Sequence, residues 1–206
     1  MRVTDFLAQS NIQMYTEQSI LEQLKADLKP SRLEHTLGVV ATAEAMAKHY
    51  GENAQKARLA ALLHDCSRIN GLSVDEMANI ASRSAYAERF PQFTTGENLL
   101  HAAASEVLAR ERYGVEDGDV LDAIRWHTTG RHGLGRLGII VYCADMIEPE
   151  RRYPGVEKLR AIVFDGLWEL ALECCGHTVE YLESTGSAIH PATLEFYEYL
   201  KGKYNG

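Results

Sequence analysis

The sequence predicts an all-α protein, a helical bundle around a single core. Apolar residues recur at helical spacing along most of the chain, and long strand-like alternation is absent. Only five prolines occur among 206 residues, and helix start and stop residues punctuate the chain at helix-length intervals. There is no internal repeat and no low-complexity segment.

Taken in order, the chain opens irregularly and then forms a helix from Thr16 to about Leu28, ended by Pro30. Ser31-Arg32-Leu33-Glu34 reads as a capping box, in which the serine hydroxyl takes one orphan amide and the glutamate reaches back. The helix it opens should run to Tyr50 and stop at Gly51. Asn53 caps the next, which extends to about Asp65. A looser region of short helices is expected up to about Gly96, then a helix from about Asn98 to Arg112. Asp119 starts another that runs through His127 and breaks at Thr128-Thr129-Gly130. Gly135 to Glu148 is helical and stopped by Pro149. Long helices are expected over 155–176 and 191–203, the last with Pro191 in its first turn. Residues 1–30 read as an extension carrying the first helix, and residues 31–206 as the functional domain.

The composition is that of a globular protein, with 46% hydrophobic and 24% charged residues. A net charge of -8 argues against binding a nucleic-acid polymer, which would call for a basic patch. It does not exclude a small anionic ligand, because a metal ion and a few arginines can reverse the local field. The four cysteines, Cys66, Cys143, Cys174 and Cys175, form no C-x-x-C and read as reduced thiols of a cytoplasmic protein. No signal peptide and no membrane span are expected.

The chemistry lies in which helix faces carry ionisable groups. His35 falls in register with Val39, Ala43, Met46 and Tyr50, the apolar stripe of its helix. His64 aligns with Ala57, Ala60 and Ala61, His127 with Val120, Ala123 and Ile124, and Asp145 with Leu137 and Val141. One such histidine is ordinarily a core imidazole satisfied by a carbonyl. A buried carboxylate must be paired, protonated or metal-bound, since an isolated charge costs several kcal/mol or more. One shared cation accounts for all of these groups together. Imidazoles with carboxylates suit iron, manganese, zinc, cobalt or nickel, and suit neither a thiolate site nor a calcium cage. Cys66 reads as small packing. Vicinal His64 and Asp65 can face one centre only near a helix end.

His35, the doublet His64-Asp65 in "ALLHDCSR" and the distant Asp145 in "YCADMIEP" resemble the HD-domain superfamily of metal-dependent phosphohydrolases. The segments "ENLLHAAASEVL", "AIRWHTTGR" and "IHPATLEFY" bring the likeness closer to the YqeK-type symmetrical bis(5'-nucleosyl)-tetraphosphatases, over about residues 31–200. The resemblance implies an all-α HD-domain fold and hydrolysis of diadenosine tetraphosphate to two ADP at an iron or similar centre of one or two ions. It implies His35, His64, Asp65 and Asp145 as metal ligands, and His101 and His127 as ligands of a second ion or contacts to phosphate. Asp65, His101 and His127 would take part in the chemistry. Arg32, Asn98, His101, His127, Arg131, Arg151, Ile189, His190, Pro191 and Thr193 would contact a dinucleoside polyphosphate or an ADP- or GDP-type nucleotide. A homodimer is compatible with the sequence. Another HD-type nucleotidase or phosphodiesterase, and a non-catalytic nucleotide-binding protein on the same fold, stay open as alternatives. The doublet is followed by Cys66-Ser67-Arg68, a departure from the aromatic or aliphatic residue expected there.

Overall fold

A computed structural model describes residues 16–84 and 97–204, with side chains over 16–84 and 99–203. Residues 1–15 and the end of the looser stretch, residues 85–96, therefore lie outside the described residues, as does the Asn98 side chain. Ten helices form among the described residues: α1 (Glu17–Asp27), α2 (Pro30–Tyr50), α3 (Ala54–Leu63), α4 (Val74–Ala81), α5 (Glu97–Glu111), α6 (Gly118–Trp126), α7 (Arg136–Ile147), α8 (Val156–Ala161), α9 (Leu167–Ser184) and α10 (Pro191–Tyr204). The described residues contain no strand, and no helix is long and apolar enough to cross a membrane.

Helix α7 is the centre of the bundle and touches α2, α3, α6, α8 and α9. Its sequence explains this position. From Leu137 to Ala144 every side chain is buried, so no face is left for solvent. Helices α2 and α3 pack against it and each other through Ala43, Ala47, Ala57, Ala60 and Ala61, small residues that let backbones approach closely. Helices α5 and α6 pair beside them, pinned by buried Glu106 of α5, which takes Arg110 at 2.8 Å and Arg125 of α6 at 3.2 Å. Ile20, Leu24 and Leu28 of the first helix belong to the same core as the rest.

Local signals differ from expectation at three places. Helix α2 starts at Pro30 and Lys29 is its N-cap, so Ser31 is inside the helix and makes no cap. Proline has no amide to satisfy and its φ is already helical, so it takes the first position ahead of the serine. Asp117, not Asp119, caps α6, because its carboxylate accepts from the amides of Asp119 and Val120. The expected helix 155–176 is two, α8 and α9, separated at Asp165-Gly166, where Gly166 is extended and begins α9. Asn53 caps α3 as expected, and α2 ends at Gly51.

The break after α6 is built on Gly130, whose φ is +63°, a conformation L side chains avoid. A Cβ there would run into the ring of Phe196, which α10 lays against the loop. Substituting Gly130 with alanine should cost about 2–4 kcal/mol through backbone strain and overpacking, read as a lower thermal midpoint. At the start of α10, buried His190 accepts the Ala192 amide on Nδ1 at 3.1 Å, and burial pushes its pKa from 6.5 down to about 4. The unfolded chain therefore binds more protons than the folded one between these values. Stability present above pH 6.5 should be lost as pH falls towards 4, and His190→Asn should flatten that decline in acid titrations of the melting temperature.

Candidate metal centre

Five helices deliver ionisable groups to one point, and two of them do so with their ends. His64 and His127 are the C-cap residues of α3 and α6. The ring Nδ1 of each turns back onto an orphan carbonyl of its own last turn, Ala61 O at 2.6 Å and Ile124 O at 2.7 Å. A carbonyl only accepts, so each Nδ1 carries the proton and each Nε2 presents a lone pair inward. His35 of α2 is held the same way by a carboxylate: Nδ1 lies 3.0 Å from Glu148 Oε1. Carboxylate or carbonyl support of this kind is what orients metal-ligating imidazoles.

The inward atoms converge. His35 Nε2 is 3.3 Å from His64 Nε2, 3.1 Å from Asp145 Oδ1 and 3.8 Å from Asp65 Oδ2. His64 Nε2 is 3.5 Å from Asp65 Oδ2 and 3.9 Å from Asp145 Oδ1. In the neutral rings of the His35–His64 pair both protons are committed outward, and two lone pairs face each other at 3.3 Å. A cation between them removes the repulsion, and His35, His64 and Asp145 are spaced to hold one. His64, Asp65 and His127 form a second such group. His101 Nε2 stands 3.4 Å from Asp65 Oδ1 and 3.0 Å from His127 Nε2. The C-terminal ends of α3 and α6 also point their negative dipole ends at this cluster, which favours positive charge there.

The electrostatics are consistent with that role. Burial alone would lower the His64 pKa, yet the Asp65 and Asp145 carboxylates outweigh it and raise it. Burial would raise Asp65 and Asp145, yet the surrounding imidazoles, with Arg151 beside Asp145, pull both well below the usual carboxylate range. Both carboxylates are thus ionised. His127, pushed down to about 4 by burial and by His64, is neutral.

Three guanidiniums ring the carboxylates. Arg32 Nη1 is 2.8 Å from Asp65 Oδ2, Arg68 Nε is 3.1 Å from Asp65 Oδ1, and Arg151 pairs with Asp145 and donates to its carbonyl at 2.7 Å. Asp65, Asp145 and Glu148 face Arg32, Arg68 and Arg151 among the described residues, and a cation would add positive charge that a polyanion could meet. Arg32 and Arg151 are about one-third exposed, at the rim where such an anion would arrive.

Of the expected site residues, His35, His64, Asp65, His101, His127, Asp145, Arg32 and Arg151 come together here. Arg131 does not. Its guanidinium is tied to Asp122 at 2.7 Å and to the His132 carbonyl at 2.9 Å, beside Asn53 and Lys56 in a cavity of about 470 Å³. Asn53 begins the helix that His64 ends, about 16 Å away at the usual rise per residue. The glycine break after His127 turned this arginine to the far end of α3. Ile189, His190, Pro191 and Thr193 form the entry to α10, where His190 and Thr193 are buried. Asn98 lies on α5, three residues before His101.

Two residues escaped the sequence reading. Glu148, 1% exposed, follows Asp145 by one turn on the same apolar helix, and that i+3 spacing was the available signal. Its Oε2 takes the Glu150 amide at 2.7 Å, and its approach is possible only because Gly38 of α2 has no side chain: a Cβ there would sit 2.5 Å from Oε2. Arg68 is the second. The whole departure Cys66-Ser67-Arg68 fastens to α5: Cys66 Sγ to Ser105 O, Ser67 Oγ to His101 O at 2.9 Å, and Arg68 Nη2 to His101 Nδ1 at 3.0 Å. Cys66 is buried packing, its thiol pushed up to about 12. Replacing Glu148 with alanine should weaken binding of a divalent ion by about 10- to 100-fold in a metal-competition titration while the helical spectrum is kept.

Comparison with known proteins agrees with this geometry. The HD domain family matches residues 32–162. A symmetrical bis(5'-nucleosyl)-tetraphosphatase of Halalkalibacterium halodurans is 39% identical over 87% of this chain and 94% of its own. That of Bacillus subtilis is 34% identical over 86% of this chain and 93% of its own. A crystal structure from Clostridium acetobutylicum, described as a predicted HD superfamily hydrolase involved in NAD metabolism, superposes with a TM-score of 0.81 at 32% identity, covering 93% of this chain and 100% of that one. With the His-Asp doublet at a helix end, its two distant partners on α2 and α7, and these relatives along nearly its whole length, the chain belongs to the HD domain family, in the group of the symmetrical bis(5'-nucleosyl)-tetraphosphatases.

Proposed function

We propose that the chain is a metal-dependent hydrolase that cleaves diadenosine tetraphosphate symmetrically into two ADP. The observation that carries this reading is the pair of facing Nε2 atoms of His35 and His64, closed by two ionised carboxylates and rimmed by arginines. The relatives named for this reaction span nearly their full length in the match.

His35, His64, Asp65 and Asp145 would hold the ion, iron or a neighbour such as manganese, cobalt, zinc or nickel. When bound, such an ion supplies Lewis acidity and lowers the pKa of a coordinated water towards neutrality. The chain's own residues do the rest. Arg32 and Arg151, held at the rim by carboxylates, can swing a fork of donors onto phosphoryl oxygens and offset charge that grows there. Asp65, strongly ionised and held on both oxygens, is suited to orienting a nucleophile and is a weak acceptor for its proton. Glu148 keeps the His35 ring turned so that its lone pair stays on the centre.

The test is a product analysis. Purified protein loaded with iron, manganese or cobalt should convert diadenosine tetraphosphate to ADP alone, resolved by anion-exchange chromatography. AMP with ATP would reject symmetric cleavage. Phosphate release from mononucleotides without that reaction would indicate another HD-type nucleotidase, and tight binding without turnover a nucleotide sensor. His64→Ala should abolish both metal retention and turnover.

A further inference from the structure

The two imidazole pairs of the centre look alike in distance and differ in where their protons are. In the first, His35 and His64, both Nδ1 atoms face acceptors, Glu148 and the Ala61 carbonyl. In the second, His127 again has Nδ1 on an acceptor, the Ile124 carbonyl. His101 is the exception. Its Nδ1 lies 3.0 Å from Arg68 Nη2. A guanidinium has five donors, no acceptor, and no accessible deprotonation. His101 Nδ1 is therefore the acceptor, and the proton of the neutral ring is on Nε2.

That Nε2–H faces acceptors at three contacts among the described residues. It is 3.0 Å from the His127 Nε2 lone pair, 3.3 Å from Thr128 Oγ1 and 3.4 Å from Asp65 Oδ1. The first pair is thus two lone pairs that call for a cation, and the second is a matched donor and acceptor. We propose that Arg68 is a positioning residue that locks His101 in the Nε2–H tautomer, so that His101 offers the centre a hydrogen-bond donor for an anionic phosphoryl oxygen instead of another lone pair for metal. The geometry supports a purpose beyond charge. The same guanidinium reaches Asp65 Oδ1 through Nε at 3.1 Å and His101 through Nη2, so one rigid fork sets a metal-side carboxylate and the donor imidazole together. A lysine at this place would keep the charge but could not span both partners in a fixed plane. His101 itself cannot slide away, because Ser67 Oγ binds its carbonyl at 2.9 Å and its ring is 4% exposed.

The role assigned to the phosphoryl oxygen rests on the hydrolase reading above, but the tautomer does not. The test is therefore split. In the full-length chain loaded with diamagnetic zinc and labelled with ¹⁵N-histidine, long-range ¹H–¹⁵N correlation should show His101 protonated on Nε2 and bare on Nδ1, with His35, His64 and His127 protonated on Nδ1. Arg68→Lys should leave zinc content at the wild-type level and shift His101 to a tautomer mixture. On diadenosine tetraphosphate, kcat of that variant should fall about 10- to 100-fold with KM within about 2-fold, the range typical of lost outer-shell support. A His101 signal protonated on Nδ1 in the wild type, or a tautomer unmoved by Arg68→Lys and Arg68→Ala alike, overturns the proposal. A rise in KM with kcat unchanged overturns it too, by making Arg68 a simple phosphate contact. If no dinucleotide is turned over while the tautomer behaves as stated, the positioning role stands and the substrate reading fails.

Discussion

Two imidazole nitrogens 3.3 Å apart, each with its proton committed to the opposite side of the ring, cannot be stable neighbours unless positive charge lies between them. Much of the surrounding structure serves that constraint. The alanine contact between α2 and α3 brings His35 within reach of His64. The largely buried α7 packs against both helices and carries Asp145 to the same point. Gly38 leaves room for the carboxylate that turns His35 inward. The ionised Asp65 and Asp145 are also paired with Arg32 and Arg151 at the rim, and those arginines are groups a polyphosphate could meet.

The cluster also separates two jobs by proton position. A ring whose Nδ1 donates to a carbonyl or carboxylate presents a ligand lone pair on Nε2, and one whose Nδ1 accepts from a guanidinium presents a donor there. Arg68, on the turn after Asp65, is what makes His101 differ from the other three histidines. The segment that departs from the family's usual doublet environment is thus fastened to α5 at each of its three residues, and fixes the spacing between the doublet and His101.

Much of this was legible before any coordinates. Helical periodicity assigned His35, His64, His127 and Asp145 to buried faces, because a polar residue in an apolar stripe is conspicuous in one dimension. What periodicity cannot carry is the partner on another element. Glu148 reads as a charge beside a proline until α2 is seen to hold a glycine opposite it. Arg131 follows His127 closely in sequence, yet the left-handed Gly130 turns the chain and sends it to Asp122. Ser31 had the right neighbours for a cap and lost the position to Pro30, since proline at the first turn leaves no amide to be satisfied. The division of α8 from α9 was signalled only by Asp165-Gly166, a dipeptide that a long amphipathic window averages away.

That His64 and His127 are terminal residues of their helices has a mechanical side. Helix tips are where hydrogen bonds are fewest and fraying begins. Here two such tips, from α3 and α6, abut through their imidazoles, and each ring also staples its own last carbonyl. An ion seated between them would act as a rivet through the loosest ends of otherwise firm rods. Occupancy of the centre and rigidity of those tips would then rise and fall together, so the enzyme's stiffness at the place of reaction would depend on the metal supply of the cell.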